Sequence, residues 1–216
     1  MARTARPAKS EAIGDLPAGT RERMLQMAIE AIERGGEASV RVREVSDATG
    51  VSFASLYHFF GSREGLVEEA LAEIYVRSVR NFTVAISARI AKCDDLESFR
   101  TAIREISLAA YDLSRSPLRF TRLSVLGGVA GRPQLAARVA AAQRSANEAL
   151  AEAVRGPQER GWIHPKLDLV TFAAWMTGLT LGRAIIELDT STTDGSAWNE
   201  MSVAALLAVS TGSFLD

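Results

Sequence analysis

The chain of 216 residues has a single cysteine, Cys93, and therefore no internal disulfide. It has two histidines, His58 and His164, too few beside one thiol for the ordinary structural zinc ligand sets. An excess of charge of one sign is also missing. The 25 Lys and Arg against 26 Asp and Glu leave a formal net charge of -1. That balance argues against a protein that coats nucleic acid regardless of sequence, but it allows a local basic patch. No apolar run is expected to reach the length of a membrane span. The opening MARTARPAK has basic residues without the apolar segment of a secretory signal, so a cytoplasmic location is expected by elimination. Strand-like alternation does not persist anywhere, and nothing repeats at a fixed period. There is no phosphate-binding glycine motif. Ser, His and Asp all occur, but neither histidine has neighbours that suggest base chemistry, and His164 stands beside Pro165. Neither an enzymatic activity nor a cofactor is expected.

What is present is helical periodicity. A hydrophobic share of 47% with 24% charged residues is ordinary for a folded chain, and the length allows a full core in one or two domains. Residues 20–34 place Met24, Leu25, Ala28, Ile29 and Ile32 on one face, with Thr20 as the expected cap and Gly35-Gly36 as the stop. A longer helix is expected from residue 62 to about residue 82, through Leu66, Val67, Ala70, Leu71, Ile74 and Val79. Segments 84–93, 96–114, 118–129 and an alanine-rich 135–154 follow, punctuated by Ser116-Pro117, Gly127-Gly128 and Gly156-Pro157. Residues 167–188 and 198–214 carry few charges. A helix apolar on nearly every face is expected to be buried on nearly every face. The fold class is all-α.

The most informative stretch is residues 42–63, VREVSDATGVSFASLYHFFGSR. Val42, Val45 and Ala48 make a helical stripe that ends at Thr49-Gly50, where glycine accepts the positive φ that other residues resist. Ser52 is placed to cap a second helix carrying Ala54, Leu56, Tyr57 and Phe60, closed by Gly61-Ser62. Two short helices joined at a sharp glycine turn form a helix-turn-helix, whose second helix enters the major groove of DNA. Ile29 and Ile32 are expected to pack on Val45, Val51 and Leu56. Ala48 and Phe60 join that core, and Ala54 is small where the two helices cross. Ser52, Phe53, Ser55 and His58 face outward and are the candidates for reading bases. Ser55 would hydrogen-bond a base edge or a phosphate. Phe53 would pack on a thymine methyl, or alternatively fold back on the head. A charged His58 would assist phosphate contact at low pH, while a neutral histidine at the groove edge is the plainer reading. Arg41 and Arg43 either touch the DNA backbone or are simply solvated. Arg3, Arg6 and Lys9 lie in the aperiodic residues 1–19, which make either a basic arm along DNA or a solubilising tail.

The run TGVSFASLYHFFGSREGL, from Thr49 to Leu66, resembles the T-G-V-S-x-G-T-L-Y-x-H-F-x-S-K-E-x-L pattern of the TetR family of bacterial transcriptional repressors. The likeness covers residues 20–71, and the later GLTLGR at residues 178–183 is similar, less specifically, to the family's penultimate helix. Where the family often has histidine before the last Phe, this chain has Phe59, and its histidine stands one residue earlier. The resemblance implies that Tyr57 and Arg63 contact phosphate, Arg63 beside the free N–H groups of a helix start. It implies a division into an arm (1–19), a DNA-binding domain (20–66) and a helical ligand-binding and dimerisation domain (67–216). A stiff helix rather than a flexible linker joins the last two. It also implies a homodimer through the last two helices, matching a palindromic double-stranded DNA operator; the alternative is that both helices are core of one subunit. A small-molecule effector entering the body would release the operator by shifting the spacing of the heads. Candidates to line its pocket are Phe99, Ile103, Ile106, Tyr111, Phe120, Leu123, Trp175 and Met176, each alternatively plain core. They call for an apolar or aromatic ligand, with Arg104, Arg122 or Glu148 as a polar anchor. Two other readings use the same scaffold, a transcriptional activator and a protein-interaction module.

Overall fold

A computed structural model describes residues 19–189, 191 and 193–212, and the regular structure among them is all helical. The expected basic arm and the end of the last helix, residues 213 and 214, lie outside the described residues. The chain divides into two compact units at Ile74/Tyr75. That division falls inside a long helix, further along than residue 66.

The first unit is built from α1 (Thr20–Gly35), α2 (Val42–Thr49), α3 (Phe53–Phe60) and the start of α4 (Arg63–Ile90). α1 packs on both α2 and α3. Met24, Leu25, Ala28 and Ile29 recur at helical spacing on α1 and are buried, as are Val45, Val51, Leu56 and Phe60. Gly50 sits at φ 72° and its N–H donates to the Ser46 carbonyl at 2.9 Å, which turns the chain sharply between α2 and α3. Ser52 caps α3, its hydroxyl accepting from the Ser55 N–H at 3.2 Å. Several local expectations change. Gly19 rather than Thr20 is the cap of α1, and Thr20 is a buried first residue whose hydroxyl accepts from Arg23 at 3.0 Å. Ile32 is half-buried. Ala48 and Ala54 are exposed. The small buried residues between α2 and α3 are Ser46 and Ser55, and Ser46 donates to the Val51 carbonyl. A serine can be buried there because its hydroxyl is satisfied by backbone.

The second unit contains the rest of α4 with α5 (Leu96–Tyr111), α6 (Ser116–Gly127), α7 (Pro133–Glu159), α8 (Leu169–Leu188) and α9 (Gly195–Ser210). α7 runs along α8, α5 packs on α8 and α9, and α6 packs on α8. The core between them holds Ile86, Phe99, Ile103, Leu150, Phe172 and Leu206. Asp95 and Ser98 close a reciprocal capping box on α5, and Asp168 and Asp194 cap α8 and α9. The expected break after residue 82 is absent. Thr83 continues α4, its hydroxyl bonding back to the Val79 carbonyl at 2.9 Å. Pro117 stands in the first turn of α6 instead of ending a helix. Pro157 falls in the last turn of α7, where a missing N–H and a kink disturb little that follows.

α8 alters two expectations. By length and composition it is apolar enough to cross a membrane, so the chain does contain one run of that length. It is not buried all round. Phe172, Ala173, Thr180, Arg183 and Ala184 face the unit, while Val170, Ala174, Trp175, Gly178, Ile185 and Leu188 form an exposed apolar stripe. α9 has a matching stripe through Ala197, Met201, Ala204, Ala205 and Ala208.

Candidate functional site

In the first unit, α3 buries Ser55, Leu56 and Phe60 and turns the remaining residues outward. Phe53 is 47% and Tyr57 48% exposed, and Ser52 and His58 are exposed beside them. Phe53 therefore does not fold back on the head. His58 meets the Phe59 ring edge-on with centroids 5.6 Å apart. Arg41 and Arg43 lie at the start of α2, each loosely paired with an acid of its own helix, Glu44 at 3.2 Å and Asp47 at 3.8 Å. Such exposed pairs hold their partners weakly and leave the guanidinium groups able to exchange them for phosphate.

Two of the residues expected at the DNA are engaged within the head. Ser55 is 3% exposed, and its hydroxyl lies 3.0 Å from that of Ser52. It is turned away from solvent and held against the cap residue of its own helix. Arg63 is committed to the head: its Nε donates to the Val40 carbonyl at 2.9 Å and its Nη2 to the Glu37 carbonyl at 2.6 Å. These carbonyls bracket the 3-10 turn Glu37–Ser39 that leads into α2, Glu37 opening it and Val40 closing it. The arginine thus ties the start of α4 to the start of the motif. Its helix is capped by Ser62, which accepts from the Gly65 N–H at 2.9 Å. Gly65 has no room for a side chain, because a Cβ there would fall 2.1 Å from the Phe60 carbonyl oxygen.

In the second unit, a cavity of about 400 Å³ opens between α4, α5 and α6, lined by Asn81, Phe82, Ile86, Ile106 and Leu118 with Arg115 at its edge. Two small spaces adjoin it, each sharing Phe82 as a wall. One reaches Arg119, Arg122 and Thr180, the other Tyr111, Met176 and Leu206. Of the residues expected to line a pocket, Ile106, Tyr111 and Met176 do so. Phe99 and Ile103 are core, Phe99 lying against Trp162 at 5.8 Å. Phe120 is 37% exposed on α6, and Leu123 is half-buried beside it. Trp175 belongs to the exposed stripe of α8 and lines a separate groove with Phe172 and Val209. Amphipathic phase fails for these residues because the cavity lies between three helices, and a residue's own helix does not reveal which neighbour is absent. Burial pushes the Tyr111 hydroxyl up to about 12, so it stays neutral. Of the three anchors considered, Arg104 is paired with Glu200 at 2.6 and 2.7 Å on the surface, and Glu148 is exposed. Arg122 alone is buried.

The same unit buries two further arginines, Arg119 and Arg183, with one carboxylate, Glu187. Glu187 pairs with Arg119, lies 3.6 Å from Arg183 and accepts from the Ser116 hydroxyl at 2.6 Å. Arg119 also donates to the carbonyls of Ala110 and Asp112, and Arg183 to Asn199 at 3.0 Å. This network pins the start of α6 to the end of α8, and α8 to α9. Nothing in the hydrophobic pattern announced it; the only signal was charge persisting at 119, 122, 183 and 187 within apolar segments.

Residues 24–70 match the family described as bacterial regulatory proteins, tetR family. The HTH-type transcriptional repressor KstR2 of Mycolicibacterium smegmatis is 39% identical over 57 residues, which are 26% of this chain and 28% of that protein. The matched stretch is thus little more than a quarter of the length of that relative. The whole fold is similar to that of a transcriptional regulator from Saccharomonospora viridis in complex with choline, with a TM-score of 0.60 and 20% identity over 88% of this chain and 96% of that one. It is also similar to the transcriptional regulator FadR of Bacillus subtilis in complex with stearoyl-CoA, with a TM-score of 0.57 and 15% identity over 87% of this chain and 97% of that one. At these identities the likeness is one of fold.

Proposed function

We propose that this chain, which belongs to the TetR family of bacterial transcriptional regulators, is a ligand-responsive repressor that acts in the cytoplasm as a homodimer on a palindromic operator. The observation that carries the reading is the face of α3, where Phe53 and Tyr57 are half-exposed and flanked by Ser52 and His58 while Leu56 and Phe60 anchor the helix beneath. Tyr57 positions the head by donating to a phosphate, and Arg41 and Arg43 add phosphate contacts from α2. Phe53, Ser52 and His58 set the base preference, Phe53 through contact with a thymine methyl. Two copies are needed to match two half-sites about 34–36 Å apart. The apolar stripes of α8 and α9 support pairing through those helices, since a stripe of this extent on a lone subunit would be left in water.

The body supplies the switch. The cavity between α4, α5 and α6 is walled partly by Asn81, Phe82 and Ile86 of α4, the helix that begins at Arg63 beside α3. A ligand that fits one arrangement of α4 better than another shifts the population of head spacings. The regulators of like fold bind molecules as different as choline and stearoyl-CoA, so the effector's chemistry must be read from the residues of this chain.

Selection of bound sequences from random double-stranded DNA tests the reading. A palindrome is expected, bound with strong salt dependence. Tyr57→Phe removes the phenolic hydroxyl without changing the ring and is expected to weaken binding several-fold on all sequences alike. Enrichment of no sequence, or Tyr57→Phe binding unchanged, would overturn it and favour the interaction-module alternative.

A further inference from the structure

The second unit buries Arg119, Arg122 and Arg183 but only Glu187 among them to balance the charge. Glu187 serves Arg119 and Arg183. Arg122 is 5% exposed, its Nε is buried without an acceptor, and no carboxylate or carbonyl of the described residues hydrogen-bonds to it. Its guanidinium lies over the Tyr75 ring, 5.6 Å from the centroid. A cation–π contact offsets only a small part of the cost of removing an arginine from water. Buried charges are otherwise paired, so a missing anion is the physical signature at this position.

Where that anion would sit is defined by the cavity. Arg122 lines its inner end with Arg119, and Arg115 stands at both the inner end and the wider outer part. No aspartate or glutamate lines either part. The hydroxyls of Ser78 and Thr180 donate to the carbonyls of Tyr75 and Met176, which leaves the guanidinium groups as the side-chain donors of the inner end, with the Asn81 amide in the outer part. The inner space is small, about 20 Å³, and it shares Phe82, Arg115 and Leu118 as walls with the wider part of about 400 Å³, which Ile86 and Ile106 also line. Of the three buried arginines, Arg122 is the one with no carboxylate beside it, and the narrow end suits a planar group.

We infer that the effector is an apolar or aromatic carboxylic acid, its carboxylate held by Arg122 and its tail between α4, α5 and α6. This rests on reading the second unit as the effector-binding body. The guanidinium is the side chain suited to bidentate pairing with a planar carboxylate. Ligand binding then completes an ion pair that the empty protein lacks, and it does so against a residue of α6 with the wall of α4 alongside.

The test uses the full-length protein and a panel of matched acids and amides: decanoate with decanamide, and 4-phenylbutyrate with 4-phenylbutanamide, plus decyl phosphate. Thermal stabilisation and calorimetric Kd are measured for the natural chain, Arg122→Met and Arg122→Lys. At least one acid is expected to bind tenfold or more tightly than its amide. Arg122→Met is expected to erase that preference and to melt no lower than the natural chain without ligand, because it removes an unpaired charge. Arg122→Lys is expected to keep part of the preference. Amides binding as well as acids, an acid preference that survives Arg122→Met, decyl phosphate binding better than decanoate, or no binding across the panel each overturns the inference. The same compounds are added to the operator complex. Acids that bind without releasing DNA would leave the carboxylate site standing and refute ligand release. Amides that bind as well as the acids and release DNA would do the reverse.

Discussion

Glu187→Gln puts the buried charge network to a direct test. The side chain of Glu187 is 4% exposed and is shared by Arg119 and Arg183, themselves 2% and 5% exposed. The substitution keeps size and a hydrogen-bonding carbonyl but removes the only carboxylate of the group. At an effective dielectric of about 20, unit charges about 4 Å apart attract by roughly 4 kcal/mol, and here two cations share one anion. The amide oxygen still accepts from one arginine, and Arg119 keeps the Ala110 and Asp112 carbonyls, so part of the loss is offset. Removing one partner of a buried pair costs about 3–5 kcal/mol because it strands the other charge. That range is expected here.

For a chain of this size, 1 kcal/mol moves the melting temperature by roughly 2–4 °C. Glu187→Gln should therefore melt roughly 6–20 °C lower, followed by helical circular dichroism at fixed protein concentration. Glu200→Gln is the control. It breaks the pair with Arg104, both side chains of which are about half-exposed, and is expected to change the melting point little. The reasoning is refuted if the two variants lose the same stability. A double-mutant cycle adds a second check. With Arg119→Met already in place, Glu187→Gln should cost measurably less than alone, since one of the two stranded cations is gone.

The remaining predictions concern the first unit. Arg63→Ala removes two charged hydrogen bonds to the Val40 and Glu37 carbonyls and is expected to cost about 1–3 kcal/mol after allowance for its partial exposure. Operator binding should weaken with it, but the slope of affinity against salt should stay unchanged; a slope lower by about 1 would instead make Arg63 a phosphate contact. Gly65→Ala must push its Cβ against the Phe60 carbonyl oxygen and is expected to cost about 1–3 kcal/mol, read as a lower denaturant midpoint. Equal midpoints would show that the α3–α4 turn yields without cost.

The head was legible because its determinants are local. Gly50, Ser52 and Gly61 mark the helix ends in one dimension, and the positive φ of Gly50 is a property of that residue alone. The errors there were of rotation. An eight-residue helix makes barely more than two turns, so the stripe through Val42, Val45 and Ala48 had a rival one step away, through Val45 and the small polar Ser46. Ser46 wins because the Val51 carbonyl needs a donor where α2 and α3 meet. Ser55 and Arg63 misled for a related reason. Each is a polar residue at a motif position suited to DNA, and each is consumed by backbone groups or a partner serine that sequence spacing does not display. The cavity was least legible, since a void is made by the separation of α4, α5 and α6, and separation leaves no pattern in any one of them.

α8 shows why a uniformly apolar helix has no single meaning. Its small residues Ala174 and Gly178 are exposed and would let a second helix approach closely. On the inward side, Arg183 and Glu187 carry the polar groups that fasten it to α6 and α9, while the Thr180 hydroxyl bonds back to the Met176 carbonyl. The usual amphipathic order is thus inverted, with the charges inside and the apolar stripe outside. A lone subunit gains nothing from that order, because it hides the costly groups and wets the cheap ones. The inversion becomes favourable once the stripe is covered. Fixed inward charges then hold α8 in one rotation about its axis and keep Val170, Ile185 and Leu188 presented as a single surface. On that argument the Glu187 network and pairing through α8 are coupled. Glu187→Gln should weaken self-association as well as stability, and sedimentation at graded concentration should show it as a dimer dissociation constant raised several-fold under conditions where the monomer stays folded. An unchanged constant would mean that the buried charges orient α8 for the sake of the body alone.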